Sequence, residues 1–185
     1  MHDIWEEIKL NCESGARRLV VEYGDRLYAA ALFLCPNAAD AEELVFRTFE
    51  RAISRIDQYR PGGEFYGWLY VIMLNFRRMD LRRNHPDVVS VGTVADIPEV
   101  ADTSFIDGLS GVDAEAVRGA MRRIPADLSE VLVLRFFEGL SMEEIAVILG
   151  IPVGTVKSRL YHAKAAFRTV FLDASKEFAE VDHDR

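Results

Sequence analysis

Residues 140–160 carry the pattern that most narrows the fold. Leu140-Ser141-Met142-Glu143-Glu144-Ile145-Ala146-Val147-Ile148-Leu149-Gly150 reads as a short amphipathic helix ended by a glycine. Ile151-Pro152-Val153-Gly154-Thr155-Val156-Lys157-Ser158-Arg159-Leu160 then opens a second helix that soon turns basic. Pro152 near that helix start costs no hydrogen bond, since the amide there would be unpaired anyway. This is the order in which a helix-turn-helix offers a recognition helix to the major groove of duplex DNA. An ordinary helical hairpin with a solvated basic face has the same periodicity. The short turn, the small residues and the basic outer face favour DNA.

At about 100° per residue, Val156, Leu160, Ala163, Phe167 and Val170 share one face of the second helix and require a packing surface. Gly154, Ser158, Tyr161 and Ala165 fall opposite, flanked by Lys157, His162 and Arg168. Small residues there allow close approach to bases, and longer polar ones reach base edges or phosphates. Arg159 sits toward the buried edge, which suits a phosphate or structural contact better than base reading.

Helical periodicity recurs from end to end and strand signals are nearly absent, so the expected class is all-α. Helices are expected over 3–12, 15–34, 37–56 (with Asn37 as N-cap), 64–83, 113–123 and 128–138, the last ended by Gly139. Residues 58–63 read as a loop. Residues 87–112 lack a helical period. The resulting organisation is a helical domain over 1–86, an acidic flexible linker over 87–112, a helix-turn-helix domain over 113–172 and an acidic tail over 173–185.

Charge refines this picture. The net charge of −8 argues against coating nucleic acid by bulk electrostatics. From Asp87 to Asp113 inclusive there are six acids and no lysine or arginine. Arg77, Arg78, Arg82 and Arg83 cluster before that stretch; Lys157, Arg159, Lys164 and Arg168 cluster after it. Two basic surfaces on an acidic chain imply directed DNA contact. Cys12 and Cys35 lack metal-ligand spacing and read as buried, reduced thiols. No metal, cofactor, small-molecule substrate or catalytic constellation is expected, and therefore no enzyme. No apolar run reaches the roughly 20 residues of a membrane span, and the start of the chain lacks a secretory pattern. A cytoplasmic protein, monomeric when free, is the expectation.

The helix over 64–83 is unusual. Phe65, Trp68, Leu69, Ile72, Phe76 and Met79 mark its expected core face, with Tyr70, Val71 and Leu74 on the other side. A second stripe runs Trp68, Val71, Asn75, Arg78, Arg82. Aromatic and apolar groups beside an asparagine and a row of arginines suit unstacked bases, with cations following the backbone. A central bundle helix with solvated arginines is the alternative.

Taken together, the two halves resemble a known family. Leu27-Tyr28, Asp40-Ala41-Glu42-Glu43-Leu44-Val45, Thr48-Phe49, Arg51-Ala52, Phe65, Trp68-Leu69 and Asn75 resemble the first conserved domain of bacterial sigma factors. Ile124-Pro125, Val131 to Arg135, Phe137 to Ser141, Glu143 to Ala146 and Val153 to Leu160 resemble the last one. The length, and the lack of a domain between them, resemble the extracytoplasmic-function (ECF) group. The resemblance implies binding to core RNA polymerase, its beta and beta-prime subunits, with Asp40, Glu43, Leu44, Phe46, Arg47 and Phe49 at the contact. It implies reading of a melted minus-ten element by Tyr59, Arg60, Trp68, Val71, Asn75, Arg78, Arg82 and Arg83, with Asn75 capturing an extruded base. It also implies reading of a duplex minus-thirty-five element by Thr155, Lys157, Ser158, Arg159, Tyr161, His162 and Lys164. An anti-sigma factor is a further implied partner. Phe46 and Arg47 depart from the glutamine and acid usual in the family.

Overall fold

The computed structural model describes residues 3–61, 64–84 and 114–181, with side chains at all of these except 84 and 173–181. The expected linker over 87–112 lies outside the described residues. The chain divides into two compact units, Met1–Val89 and Ser90–Arg185. Every regular element among the described residues is helical.

The first unit contains α1 (Ile4–Leu10), α2 (Cys12–Leu34), α3 (Ala38–Ser54), a 3-10 turn (Ile56–Gln58) and α4 (Phe65–Asn84). Helix α2 starts three residues before the expected position because the Asn11 side chain caps it, accepting a hydrogen bond from the Ser14 amide at 3.2 Å. Asn37 caps α3 as its sequence requires, accepting from the Asp40 amide at 2.8 Å. Gly15 sits where α1 crosses α2: a Cβ there would lie 2.5 Å from the Ile8 Cα, so only glycine permits the approach. Leu19, Leu27, Ala30, Ala31, Ala41, Leu44, Ala52, Leu69 and Met73 fill the core. Cys35 is buried as expected, but Cys12 is exposed at the first turn of α2.

The face that α4 buries differs from the one expected. Tyr66, Tyr70, Met73 and Leu74 are buried with Phe65 and Leu69, while Trp68, Ile72 and Phe76 are half-buried and Met79 is exposed. The first half of this helix is apolar almost all round, so periodicity alone does not select the inward side. Arg77 is also inward. Its Nε donates to the Leu34 carbonyl at 3.0 Å, satisfying an acceptor at the end of α2, and it leaves the exposed basic cluster. Arg47 binds α3 to α4, donating to both Asp80 carboxylate oxygens at 2.8 and 3.3 Å while its guanidinium stands 4.6 Å from the Phe76 ring centre.

The second unit contains α5 (Ala114–Arg123), α6 (Ala126–Leu132), a π turn (Val133–Phe137), α7 (Met142–Leu149) and α8 (Val153–Val181). The helix expected over 128–138 widens at Val133, where the Glu138 amide reaches back five residues to the Val133 carbonyl. Gly139 at φ 70° turns the chain, and Arg135 holds the turn by donating to the Leu140 carbonyl at 2.8 Å. Ser141 and Glu144 form a capping box at the start of α7. Hydrogen bonds from the Ser141 hydroxyl and amide hold the Glu144 carboxyl below its ordinary range. Gly150 at φ 65° ends α7, and the Ile151 amide closes the turn on the Ala146 carbonyl. Val131, Leu134, Ile145, Val156, Leu160, Ala163 and Phe167 form the core. The backbone of α8 continues to Val181, through much of the segment expected as a tail.

Candidate nucleic-acid interface

In the first unit, the end of α3, the 3-10 turn and the outer side of α4 enclose an open groove of about 410 Å³. Arg51, Arg55 and Gln58 line one wall; Trp68, Ile72, Asn75, Phe76 and Met79 line the other. The groove exists because α4 carries more apolar surface than the core uses. Arg51 stands 5.5 Å from the Phe76 ring centre, and Arg51, Arg55 and Asn75 are exposed. A surface of this kind offers stacking faces, an amide that pairs with a base edge, and cations for phosphates.

Of the residues expected at this surface, Trp68 and Asn75 share the groove. Val71 and Arg78 are half-buried and do not line it, while Arg60, Arg82 and Arg83 are exposed. The Arg82 Nε donates to the Arg78 carbonyl at 3.2 Å. Tyr59 is buried, its ring 4.9 Å from Phe65 and 5.4 Å from Trp68 between centres. Burial, with a smaller contribution from Asp3, raises its hydroxyl pKa. Tyr59 therefore supports the groove from behind. Sequence reasoning missed Arg51, Arg55 and Gln58, although the i, i+4 spacing of the two arginines places them on one side of α3.

The outer side of α8 is narrower than its wheel implies, because α5, α6 and α7 all pack against it. Ser158 is only 7 % exposed, which corrects its expected place on the outer face. Arg159 turns inward, its Nε 3.6 Å from Asp127 Oδ2. Tyr161 is exposed, with His162 edge-on to it at 5.4 Å between ring centres. Thr155, Lys157, His162 and Lys164 are half-buried and Arg168 is exposed.

On α3, Asp40, Glu43 and Phe46 face outward, Phe46 with 63 % exposure. Leu44 and Phe49 are core residues and Arg47 is engaged with Asp80. Only half of the expected polymerase set is thus available at the surface. Among the described residues there is no group of His, Cys, Asp and Glu able to hold a metal, and no helix long and apolar enough to cross a membrane.

Comparison with known proteins places both units in one family. Residues 19–86 match the family described as Sigma-70 region 2, and residues 114–167 match Sigma-70, region 4. The chain belongs to the ECF group of the sigma-70 family. It is 32% identical over 164 residues to ECF RNA polymerase sigma factor EcfG of Rhodopseudomonas palustris, covering 84% of this chain and 85% of that one. It is 29% identical over 177 residues to ECF RNA polymerase sigma factor SigW of Bacillus subtilis, covering 91% and 95%. Among solved structures it resembles the sigma factor RpoE of Bartonella quintana, seen in complex with the anti-sigma factor NepR (TM-score 0.64, 25% identity, 83% and 94% covered). It also resembles CnrH in complex with the cytosolic domain of CnrY (TM-score 0.61, 27% identity, 92% and 96% covered). This sigma factor binds core RNA polymerase and directs promoter recognition and transcription initiation.

Proposed function

We propose that the two surfaces divide promoter recognition between them. The groove takes the melted minus-ten strand: Asn75 pairs with an extruded base, Trp68 and Phe76 supply stacking faces, and Arg51, Arg55 and Arg78 follow the phosphates. The exposed side of α8, through Thr155, Lys157, Tyr161, His162 and Lys164, reads the minus-thirty-five duplex. Ser158 and Arg159 support that helix from its packed side. Asp40, Glu43 and Phe46 on α3 meet the coiled coil of the large polymerase subunit. The sigma factor works in the cytoplasm without catalysis of its own, and an anti-sigma factor restrains it, as the complexes of similar proteins suggest.

The observation that carries this reading is the exposed Asn75 amide in a groove with aromatic walls and an arginine pair. Extruding a base costs a few kcal/mol of stacking, which such a groove offsets only after the strands part. The test compares Asn75→Ala with the natural chain in reconstituted holoenzyme. Promoter opening falls more than initial duplex binding; equal loss in both assays overturns the assignment.

A further inference from the structure

Helix α1 precedes the matched region, which begins at residue 19, yet it reaches the groove through a continuous set of contacts. Ile4 and Ile8 bury one side of α1 against the unit, and Gly15 allows the backbones of α1 and α2 to touch. On another side, Trp5 lies 6.1 Å from Tyr59 between ring centres. The Lys9 Nζ forms an ion pair at 3.2 Å with Asp57 in the 3-10 turn, and stands 5.4 Å from the Trp5 ring centre. Both contacts land on the segment joining α3 to α4. Tyr59 then passes the constraint to Trp68 at 5.4 Å and Phe65 at 4.9 Å, and those two rings are 5.5 Å apart. Trp68 and Gln58 are groove walls.

We infer that α1 is a clamp on the groove, and that Trp5 is a positioning residue for capture of the melted strand. Trp5 acts through Tyr59, which sets the ring of Trp68 against which a base is stacked. Among its described residues the connecting segment has one short helical element, the 3-10 turn Ile56–Gln58, so its geometry depends on what packs behind it. A stacking face is useful only at a defined distance and tilt from the asparagine that reads the base. This inference rests on the groove being the melted-strand site.

The experiment uses holoenzyme reconstituted from the full chain and measures three quantities: affinity for core polymerase, affinity for duplex promoter, and affinity for a fork template with a single-stranded minus-ten segment. Trp5→Ala lowers fork affinity by about fivefold, the factor matching loss of one aromatic pair, with core and duplex affinities changed less than twofold. Trp5→Phe restores most of the loss because a ring again backs Tyr59. As a second probe, Asp57→Lys weakens fork binding modestly, and Lys9→Asp on the same chain recovers it. A uniform fall in all three affinities makes α1 a general stabiliser and overturns the inference, as does unchanged fork binding in Trp5→Ala. Asn75→Ala runs alongside. If it too leaves fork binding unchanged, the groove assignment itself has failed; if only Trp5→Ala is silent, the clamp alone is wrong.

Discussion

Replacing Arg47 by alanine tests whether this residue serves the polymerase contact or the internal joint between α3 and α4. The guanidinium makes a forked pair with Asp80 at 2.8 and 3.3 Å. The two side chains are 27 % and 34 % exposed, so solvent screens the pair substantially. An ion pair of this kind contributes up to about 1 kcal/mol. The cation over Phe76 at 4.6 Å adds about 0.5–1 kcal/mol. Arg47→Ala, which also loses the 3.8 Å pair with Glu43, therefore costs about 1.5–2 kcal/mol, whereas Asp80→Ala loses only its own ion pair, up to about 1 kcal/mol. Both tryptophans, Trp5 and Trp68, lie in the first unit, so intrinsic fluorescence during urea unfolding of the full chain reports that unit selectively. The double variant should be less destabilised than the sum of the singles by about 1 kcal/mol. In a domain of this size the Arg47→Ala loss lowers the melting temperature by roughly 6–16 °C. A coupling below about 0.3 kcal/mol would refute the joint. So would an Arg47→Ala protein of normal stability whose core-polymerase affinity falls further than that of Phe46→Ala.

Phe46→Ala is expected to weaken holoenzyme assembly several-fold in a binding titration while leaving the urea midpoint almost unchanged, because the ring is 63 % exposed in the free chain. Lys157→Ala is expected to weaken minus-thirty-five duplex binding and reduce the log–log salt slope by about 1, as loss of one phosphate contact requires; an unchanged slope removes Lys157 from the interface. Gly150→Ala meets no neighbouring atom within 4 Å but must adopt φ 65°, so thermal unfolding of the second unit should show a loss of about 1 kcal/mol from backbone strain alone. Burial raises the Cys35 thiol pKa from 9.0 to about 11. The unfolded chain loses that proton first, so this contribution to stability is complete below pH 9 and declines toward pH 11. Cys35→Ala should flatten that part of the pH–stability profile, and iodoacetamide should label the exposed Cys12 well before Cys35.

The two-unit helical organisation was legible because amphipathic periods, caps and glycine stops agree locally: Asn37 and Gly150 each perform the role their spacing predicts. The inward side of α4 was not. Trp68, Ile72, Phe76 and Met79 compete with Tyr66, Tyr70, Met73 and Leu74, and only the placement of α2 and α3 decides which set is covered. Arg77 shows the same limit for charge. Its partner is a carbonyl 43 residues away, a relation that no local pattern encodes. Ser158 was misplaced because a helix wheel presumes one packed side, whereas α8 meets three helices. Asn75 needed the family resemblance to stand out, since a single asparagine on a helix carries no distinctive spacing. The supporting role of Tyr59 emerged only from its ring neighbours.

The uninterrupted backbone of α8 has an architectural consequence for the C-terminal end. At 1.5 Å per residue, Asp173 lies about 24 Å along the axis from Lys157, and Val181 about 36 Å. Physiological salt attenuates fields over about 8 Å. The helix backbone thus ends several screening lengths from Lys157. That geometry also makes the far end a natural place to attach a fluorophore or affinity handle.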